Sequence, residues 1–259
     1  MKPAHLNTPW KEELDPENLL NHYPRPQLVR DQWLNLNGFW DYAILDQGMD
    51  QNSPLELTLF PEPDGQILVP FALETDLSGV SRPLKPGQSL WYRRSLTIPE
   101  SWKRERLLLH FEAVDWRCVC YINGKEAGAH QGGYLPFHFD ITALLKPDGN
   151  EIILVVEDST DDGFQQRGKQ VLKPEVIYYE ATSGIWQTVW LEPVSPVQYI
   201  QSLRFTPDID SETLEIKVLT APDNPDSPEH SDPGEEQAKV TLLNGDKTLP
   251  PPPYRMARP

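Results

Sequence analysis

The sequence has 259 residues, which is long enough for one large β domain or two smaller ones. Its formal net charge of −16 and its lack of a basic window argue against nucleic acid as a partner, because binding a polyanion requires a basic footprint. The mean hydropathy is −0.53, and the longest aliphatic run (152–156) is far shorter than the ~20 residues that span a bilayer, so no membrane partner is predicted.

The N-terminal segment predicts neither a targeting signal nor a long helix. No apolar stretch precedes Lys11, so a secretory signal peptide is not expected and a cytoplasmic location is favoured. Residues 11–22 are the best candidate for a helix, although Pro16 interrupts them. We therefore treat residues 1–27 as an N-terminal extension.

Short runs of alternating, aromatic or β-branched residues follow along the chain, each bounded by Gly, Pro, Asn or Asp. Such runs predict β-strands, and Asn123-Gly124 is typical of a tight hairpin turn. The predicted strands cover residues 38–45, 66–71, 90–98, 104–111, 117–122, 125–129, 137–141, 150–157, 176–180 and 187–193. This many short strands separated by turns indicates an all-β sandwich or barrel.

Two cysteines, Cys118 and Cys120, lie two positions apart on one predicted strand. Residues with this spacing share a face of the strand and are separated by roughly 6–7 Å along it. Disulfide geometry requires Cβ atoms about 3.8 Å apart, so we expect no bond between them. They are predicted to be small buried side chains in a reducing compartment.

The composition changes after the last of these strands. Residues 197–206 and 213–220 predict two more strands, and residues 238–243 predict a third. Residues 221–237 hold four prolines and six acids without any Lys or Arg, which predicts a disordered loop or linker. Because so few strands do not form a stable sandwich by themselves, residues 196–259 predict only part of a second domain.

Several motifs occur in a fixed order between residues 28 and 195. They are the segments 34–42 (LNLNGFWDY), 90–99 (LWYRRSLTIP), 107–115 (LLLHFEAVD), 119–124 (VCYING), 130–142 (HQGGYLPFHFDIT), 150–156 (NEIILVV) and 182–192 (TSGIWQTVWLE). Their content and order resemble the N-terminal sugar-binding domain of glycoside hydrolase family 2, the β-galactosidase and β-glucuronidase group. The resemblance implies a jelly-roll-like β-sandwich (galactose-binding-domain-like) over residues 28–195, followed by a truncated immunoglobulin-like β-sandwich in residues 196–259.

The resemblance also implies a role. Members of this family hydrolyse β-glycosidic bonds with retention, using two glutamates on a (β/α)8 barrel that follows these domains. We expect this chain to lack the barrel, to contribute no catalytic residue and no cofactor, and to act as a carbohydrate-binding scaffold for a barrel supplied in cis or in trans. Its expected ligand is a β-linked carbohydrate. A free-standing carbohydrate-binding protein, a subunit of a split glycosidase and a frameshifted gene product remain alternatives.

Seven polar or aromatic side chains are candidates for facing a carbohydrate. Tyr134 follows the glycine pair 132–133, which predicts either positive φ at a strand corner or a loop that approaches the barrel or a glycan. The ring of Tyr134 is interpreted as a sugar-stacking surface or as a core or interdomain aromatic. Loop 158–170 is long and polar, so it is either substrate-facing or solvated. For Arg82 a surface ion pair is the alternative. The candidates are Arg82, Gln131, Tyr134, Arg167, Lys169, Gln170 and Tyr178.

Two places in the sequence carry residue types that can bind a metal ion. Loop 158–170 begins Asp-x-Thr-x-Asp-Gly, like an EF-hand calcium loop. The twelfth position is Lys169 instead of a bidentate Glu, and no helices flank the loop, so an EF-hand is not predicted. Another cation site at these carboxylates stays open. His130 and His138 have no third ligand nearby in the sequence, and no metal site is predicted there.

Overall fold

The computed structural model describes residues 8–49, 59–221, 241, 243–244 and 247–248, and it confirms the predicted all-β class. Helical structure in these residues is limited to α1 (Pro9–Glu12) and short 3-10 turns at Asp76–Ser78, Glu100–Trp102 and Thr142–Leu144. In chain order the strands are β1 (Leu34–Asn35), β2 (Gly38–Leu45), β3 (Gly65–Val69), β4 (Ser89–Leu96), β5 (Arg106–Phe111), β6 (Val114–Asp115), β7 (Arg117–Ile122), β8 (Lys125–Gln131), β9 (Phe137–Asp140), β10 (Asn150–Glu157), β11 (Gly184–Ile185), β12 (Val189–Val194), β13 (Ile200–Asp208), β14 (Thr213–Thr220), β15 (Leu243–Asn244) and β16 (Lys247–Thr248).

Two antiparallel sheets form the predicted jelly-roll-like sandwich. One has the strand order β1-β12-β5-β9, and the other has the order β3-β2-β4-β10-β7-β8. Their inner faces enclose one hydrophobic core, whose largest buried side chains include Trp40, Tyr92 and Phe111. Each fully buried Leu, Ile, Val or Phe stabilises such a core by about 1.5–3 kcal/mol.

The central strand β10 is buried on both faces, which explains its unbroken aliphatic run. Ile152, Leu154 and Val156 point into the main core. Ile153 and Val155 point to the other face, where they pack in a second cluster with Ala43, Met49, Trp91 and Tyr121. Trp91 is therefore a core residue.

Most strand predictions are confirmed. Residues 38–45, 117–122, 150–157 and 213–220 coincide with β2, β7, β10 and β14, and most of the others differ only by a few residues at their ends. Cys118 and Cys120 are both free and buried, so they form no disulfide with each other.

One prediction of local structure is wrong. Residues 176–180 form no strand, and only an isolated bridge joins Tyr179 to Gln170. Val176 is fully exposed at φ +57°, because no sheet lies beside this apolar run to cover it. The helix candidate at residues 11–22, which Pro16 was expected to interrupt, is limited to α1, since a proline within a helix removes a hydrogen bond and collides with the preceding turn.

The irregular segment after α1 is held against β12 by one buried carboxylate. Glu192 is fully buried, and Arg25 Nη2 and Arg30 Nη1 each lie 2.6 Å from its Oε1. The hydroxyl of Tyr23 donates to Oε2 at 2.7 Å. His110 Nε2 lies 3.1 Å from Oε1, and its ring stacks on Trp190 at 3.9 Å.

These contacts decide the charge of the cluster. Burial alone would raise the pKa of Glu192, but hydrogen bonding from His110 and the charge of Arg25 outweigh it and lower the pKa to about 2. Burial lowers the pKa of His110 to about 4. At neutral pH the two arginines therefore supply the positive charge that Glu192 requires, because a buried carboxylate is stable only when it is paired.

The strands beyond the sandwich are simpler. β13 and β14 form an antiparallel hairpin, which confirms the two strands predicted after residue 196. Contacts divide the chain into Met1–Pro222 and Asp223–Pro259, and in the second unit β15 pairs with β16. The predicted linker 221–237 lies outside the described residues except for Ala221, and the predicted strand 238–243 does so except for residues 241 and 243. No helix in the described part is both long and apolar enough to cross a membrane.

Candidate functional site

Segments that are far apart in sequence meet at one end of the six-stranded sheet. The register pairs Glu157 at the end of β10 with Arg117 at the start of β7, and Arg117 with Gln131 at the end of β8. β6 immediately precedes β7 and pairs with β11. The loop from β10 to β11 and the glycine turn after β8 both leave from this end, which we call the loop end.

The two glycines of the turn are required for different reasons. Gly132 adopts φ +122°, a conformation that favours glycine. A Cβ on Gly133 would lie 2.5 Å from Oδ1 and 2.8 Å from Oδ2 of Asp115, and Asp115 is only 3% exposed. The positive φ expected at the pair is therefore present at Gly132, whereas Gly133 has no room for a side chain because it lies against Asp115.

Tyr134 is fixed in place while its ring stays 40% exposed. Its hydroxyl accepts a hydrogen bond from Gln170 Nε2 at 3.1 Å, and Gln170 Oε1 accepts one from Thr182 N at 2.6 Å. Its ring meets Trp186 edge-on at 6.1 Å, and Trp186 Nε1 donates to the Gly133 carbonyl at 2.8 Å. We name Asp115, Gly133, Tyr134, Gln170 and Trp186 the turn site.

Three carboxyls, those of the buried Asp115 and Asp158 and of the half-buried Glu74, lie close enough to influence one another at this end. Burial raises the pKa of Asp115 to about 7, and the charge of Asp158 raises it further. Burial also raises the pKa of Glu74 to about 7, although Ser183 N donates to it at 2.9 Å. The pKa of Asp158 is raised by burial against donors that include Thr160 N at 2.8 Å and Ser183 Oγ at 2.9 Å. These acids therefore bind protons more readily than exposed carboxyls do.

The loop between β10 and β11 is ordered by its own hydrogen bonds. Gln165 Nε2 donates to the Thr160 carbonyl at 3.0 Å. The Lys169 carbonyl accepts from Tyr179 N at 2.9 Å, and the Tyr179 carbonyl accepts from Val171 N at 3.0 Å. The loop still presents large apolar side chains to solvent, and such exposure often marks a contact surface. These side chains are Phe164, Val176, Ile177, Tyr178 and Tyr179.

The predicted candidates separate into two groups in the structure. Tyr134 and Gln170 are in direct contact at the turn site. Arg167, Lys169 and Tyr178 lie on the same loop as Gln170, where Arg167 is half-buried and the other two are exposed. The Lys169 ammonium lies 6.0 Å from the Tyr179 ring centroid.

Neither Arg82 nor Gln131 has a described hydrogen bond to the turn site, although Gln131 directly precedes the glycine pair in the chain. Arg82 Nη2 donates to Gln88 Oε1 at 3.4 Å, so its described contact is a neutral amide. Gln131 lines a polar cleft together with Gln88. The His130 ring stacks on Phe137 at 3.9 Å. In the part of the chain that the structure describes, no three His, Cys, Asp or Glu side chains group as metal ligands.

Asp115 and Trp186 were not predicted as members of the site. Both occur in the family-like motifs, but an acid and a tryptophan on strand-like segments give no local signal of a shared position. The signal that was available is the second glycine of the turn. Gly133 is not among the described glycines with a positive φ. Its lack of a side chain is therefore explained by a close neighbour.

Comparison with known proteins assigns residues 33–193 to the family described as "Glycosyl hydrolases family 2, sugar binding domain". The chain is 31% identical over 133 residues to a beta-galactosidase of Thermoanaerobacter pseudethanolicus, which covers 50% of this chain and 17% of the relative. It is 32% identical over 111 residues to a beta-glucuronidase of Formosa agariphila, which covers 42% of this chain and 11% of the relative. The chain thus spans only a small part of the length of these curated relatives.

A solved structure has the same fold. It is the beta-glucuronidase of Bifidobacterium dentium complexed with coumarin-3-O-glucuronide, which is similar to this chain with a TM-score of 0.55 at 22% identity. The match covers 76% of this chain and 38% of that one.

Proposed function

Since the chain belongs to glycoside hydrolase family 2 through its sugar-binding domain, we propose that it is the non-catalytic N-terminal part of a longer β-glycosidase. In this proposal residues 28–195 are the sugar-binding domain and residues 196–259 begin an immunoglobulin-like domain. A (β/α)8 barrel outside these residues breaks the bond. The whole enzyme hydrolyses a β-glycosidic bond with retention, which requires two carboxyls about 5 Å apart in the barrel.

The observation that carries the proposal is that Tyr134 is held in place while its side chain stays partly exposed. Sugars present apolar ring faces and polar edges, and aromatic side chains with a polar group match both. Gln170 holds the Tyr134 hydroxyl and is itself held by Thr182 N. The aromatic surface is therefore positioned before a ligand arrives, which lowers the entropy cost of binding.

The other residues of the loop end have supporting roles in this proposal. Arg167 and Lys169 supply donors for hydroxyl or carboxylate groups of the substrate. Tyr178 adds a second exposed ring. Asp115 lies beneath Gly133 and supports the turn. The exposed apolar side chains of the loop give the catalytic domain a surface to pack against.

The experiment compares the full-length enzyme with two variants of one loop. Gln170→Ala removes the support of Tyr134, and we expect kcat/KM on nitrophenyl β-glycosides to fall about tenfold, the value of a hydrogen bond of about 1.4 kcal/mol. Gln166→Ala is the matched control, because Gln166 is exposed on the same loop. We expect the 259-residue chain alone to release no nitrophenol. Turnover by the purified chain, or equal activity of the two variants, would contradict the proposal.

A free-standing carbohydrate-binding protein is the second candidate, favoured by the exposed aromatic rings of the loop. Such a protein needs affinity of its own, so titration calorimetry of the chain with β-galactosides and β-glucuronides separates the two functions. A micromolar Kd supports the free-standing protein, whereas a domain that supplies one wall of a larger site has a Kd in the millimolar range or weaker. Co-purification with a barrel-bearing second chain indicates a split enzyme.

A further inference from the structure

The segment that joins the sandwich to hairpin β13–β14 is short and is contacted by two arginines. It consists of residues 195–199, between the end of β12 and the start of β13, and we call it the joint. We propose that Arg30 and Arg106 make the joint rigid, so that they fix the direction in which the hairpin leaves the sandwich. The inference goes beyond the proposed function, because it holds whether or not a catalytic domain follows the hairpin.

The ring of Tyr199 is the central contact of the joint. The guanidinium carbon of Arg30 lies 5.8 Å from the centroid of this ring, and that of Arg106 lies 5.7 Å from it. A guanidinium within about 6 Å of an aromatic centroid is attracted by the ring electrons. Tyr199 is half-buried, so water only partly screens these two contacts.

The same two arginines also bind the backbone near both ends of the joint. Arg30 Nη2 donates to the Ile200 carbonyl at 2.6 Å, and Arg106 Nη2 donates to the Pro196 carbonyl at 3.3 Å. The Tyr199 carbonyl accepts from Ala221 N at 2.9 Å, which closes the base of the hairpin. Rotation of the backbone within the joint would therefore break several hydrogen bonds at once.

Each arginine is itself fixed on the sandwich by an acid. Arg30 Nη1 lies 2.6 Å from Oε1 of Glu192 on β12, and Arg106 Nε lies 3.4 Å from Oδ2 of Asp140 on β9. The side chains of Arg30 and Arg106 are only 19% and 11% exposed. Two cations beside one ring repel each other, and the two carboxylates offset that repulsion.

Arg30 connects three parts of the chain, because it lies on the N-terminal extension and binds both β12 and β13. One of its nitrogens contacts Glu192 and another contacts Ile200. The planar fork of a guanidinium can bind two acceptors in this way, whereas a lysine has a single nitrogen. Domains that share a small interface ordinarily move relative to one another. In the longer glycosidase of the proposed function, Arg30 and Arg106 are therefore positioning residues for the domain that begins with the hairpin.

The test measures residual dipolar couplings of the 15N-labelled 259-residue chain in a dilute aligning medium. Hinge motions take microseconds to milliseconds, and dipolar couplings average over this range. In the unmodified protein we expect the amides of β13–β14 and of the sandwich to fit one alignment tensor. Arg30→Lys keeps a cation beside Glu192 but loses the bond to Ile200, so the alignment of the hairpin should fall to about half that of the sandwich or less.

Arg25→Lys is the matched control for the buried carboxylate. Arg25 Nη2 also lies 2.6 Å from Glu192 Oε1, and none of the contacts described for Arg25 involves the joint or Ile200. This variant should leave the hairpin aligned with the sandwich.

A second pair of variants tests the ring of Tyr199 without changing the charges around Glu192. Tyr199→Leu removes the aromatic ring and should reduce the alignment of the hairpin, whereas Tyr199→Phe keeps the ring and should not. This pair decides the question even if Arg30→Lys does not fold.

Three results would each overturn the rigid joint. They are separate alignment of hairpin and sandwich in the unmodified protein, equal alignment of the hairpin in Arg30→Lys and Arg25→Lys, and an unchanged alignment in Tyr199→Leu. None of these results bears on the kinetic comparison of Gln170→Ala with Gln166→Ala, so the two proposals fail separately.

Discussion

A substitution at Gly133 tests most directly how the turn site is built, because Gly133 packs against Asp115. In Gly133→Ala the new Cβ would lie 2.5, 2.6 and 2.8 Å from Oδ1, Cγ and Oδ2 of Asp115, where Cβ contacts below 3.0 Å are essentially never found. The enclosed carboxyl has little room to move, and overpacking of this kind costs about 1–3 kcal/mol. We expect the free energy of unfolding in urea at pH 7 to fall by that amount.

The reasoning is tested by a double-mutant cycle. Asp115→Ala removes the atoms that collide with the new Cβ, so adding Gly133→Ala to that variant should hardly change the free energy of unfolding. The effects of Gly133→Ala in the two backgrounds should therefore differ by about 1–3 kcal/mol, which is the coupling energy. Gly132→Ala is the matched control, because its cost of about 1–3 kcal/mol comes from φ +122° and not from Asp115. That cost should persist in the Asp115→Ala background. If Gly133→Ala destabilises both backgrounds equally, the close contact is not the reason for the glycine.

Three further outcomes are expected. Glu192→Gln leaves Arg25 and Arg30 without their shared carboxylate and should lower the free energy of unfolding by about 3–5 kcal/mol; a loss below about 1 kcal/mol, the value of an exposed pair, would count against a buried network. The pKa of Asp115 is raised from 3.8 to about 7, so the folded state holds this proton more tightly and the free energy of unfolding falls as pH rises through that window. Urea titrations at several pH values should show a smaller fall in Asp115→Asn. The same dependence of the free energy of unfolding on pH in both proteins would refute this. Tyr92→Phe deprives Ile185 N of its buried acceptor and should cost about 1–3 kcal/mol in thermal unfolding followed by circular dichroism, whereas an unchanged midpoint would show that the amide has another partner.

The sandwich was largely predictable because its strands carry a local signal. β7 and β10 coincide with the predicted runs, since branched and aromatic side chains bounded by turn residues favour a pleated, buried surface. The same signal failed at residues 176–180. Tyr178 and Tyr179 fit a strand by composition, but strand propensity reflects packing against neighbours, and the loop lacks a sheet to pack against.

The candidate site was predictable in its parts and not in its assembly. Tyr134 and Gln170 were each selected as ligand-facing residues, and their hydrogen bond joins positions 36 residues apart. No periodic pattern encodes that separation, because it depends on how the loop from β10 returns over the glycine turn. Asp115 was missed for the same reason: its contact with Gly133 joins two different strand connections.

The carboxylate of Glu192 has a practical consequence for anyone isolating this module. The family match begins at residue 33, which leaves Tyr23, Arg25 and Arg30 outside it, although all three contact Glu192. A protein cut at that homology border would retain the acid and discard both of its counterions. We therefore expect a fragment that starts before Tyr23 to be more stable than one that starts at residue 33, because only the longer fragment keeps the ion pairs of Glu192.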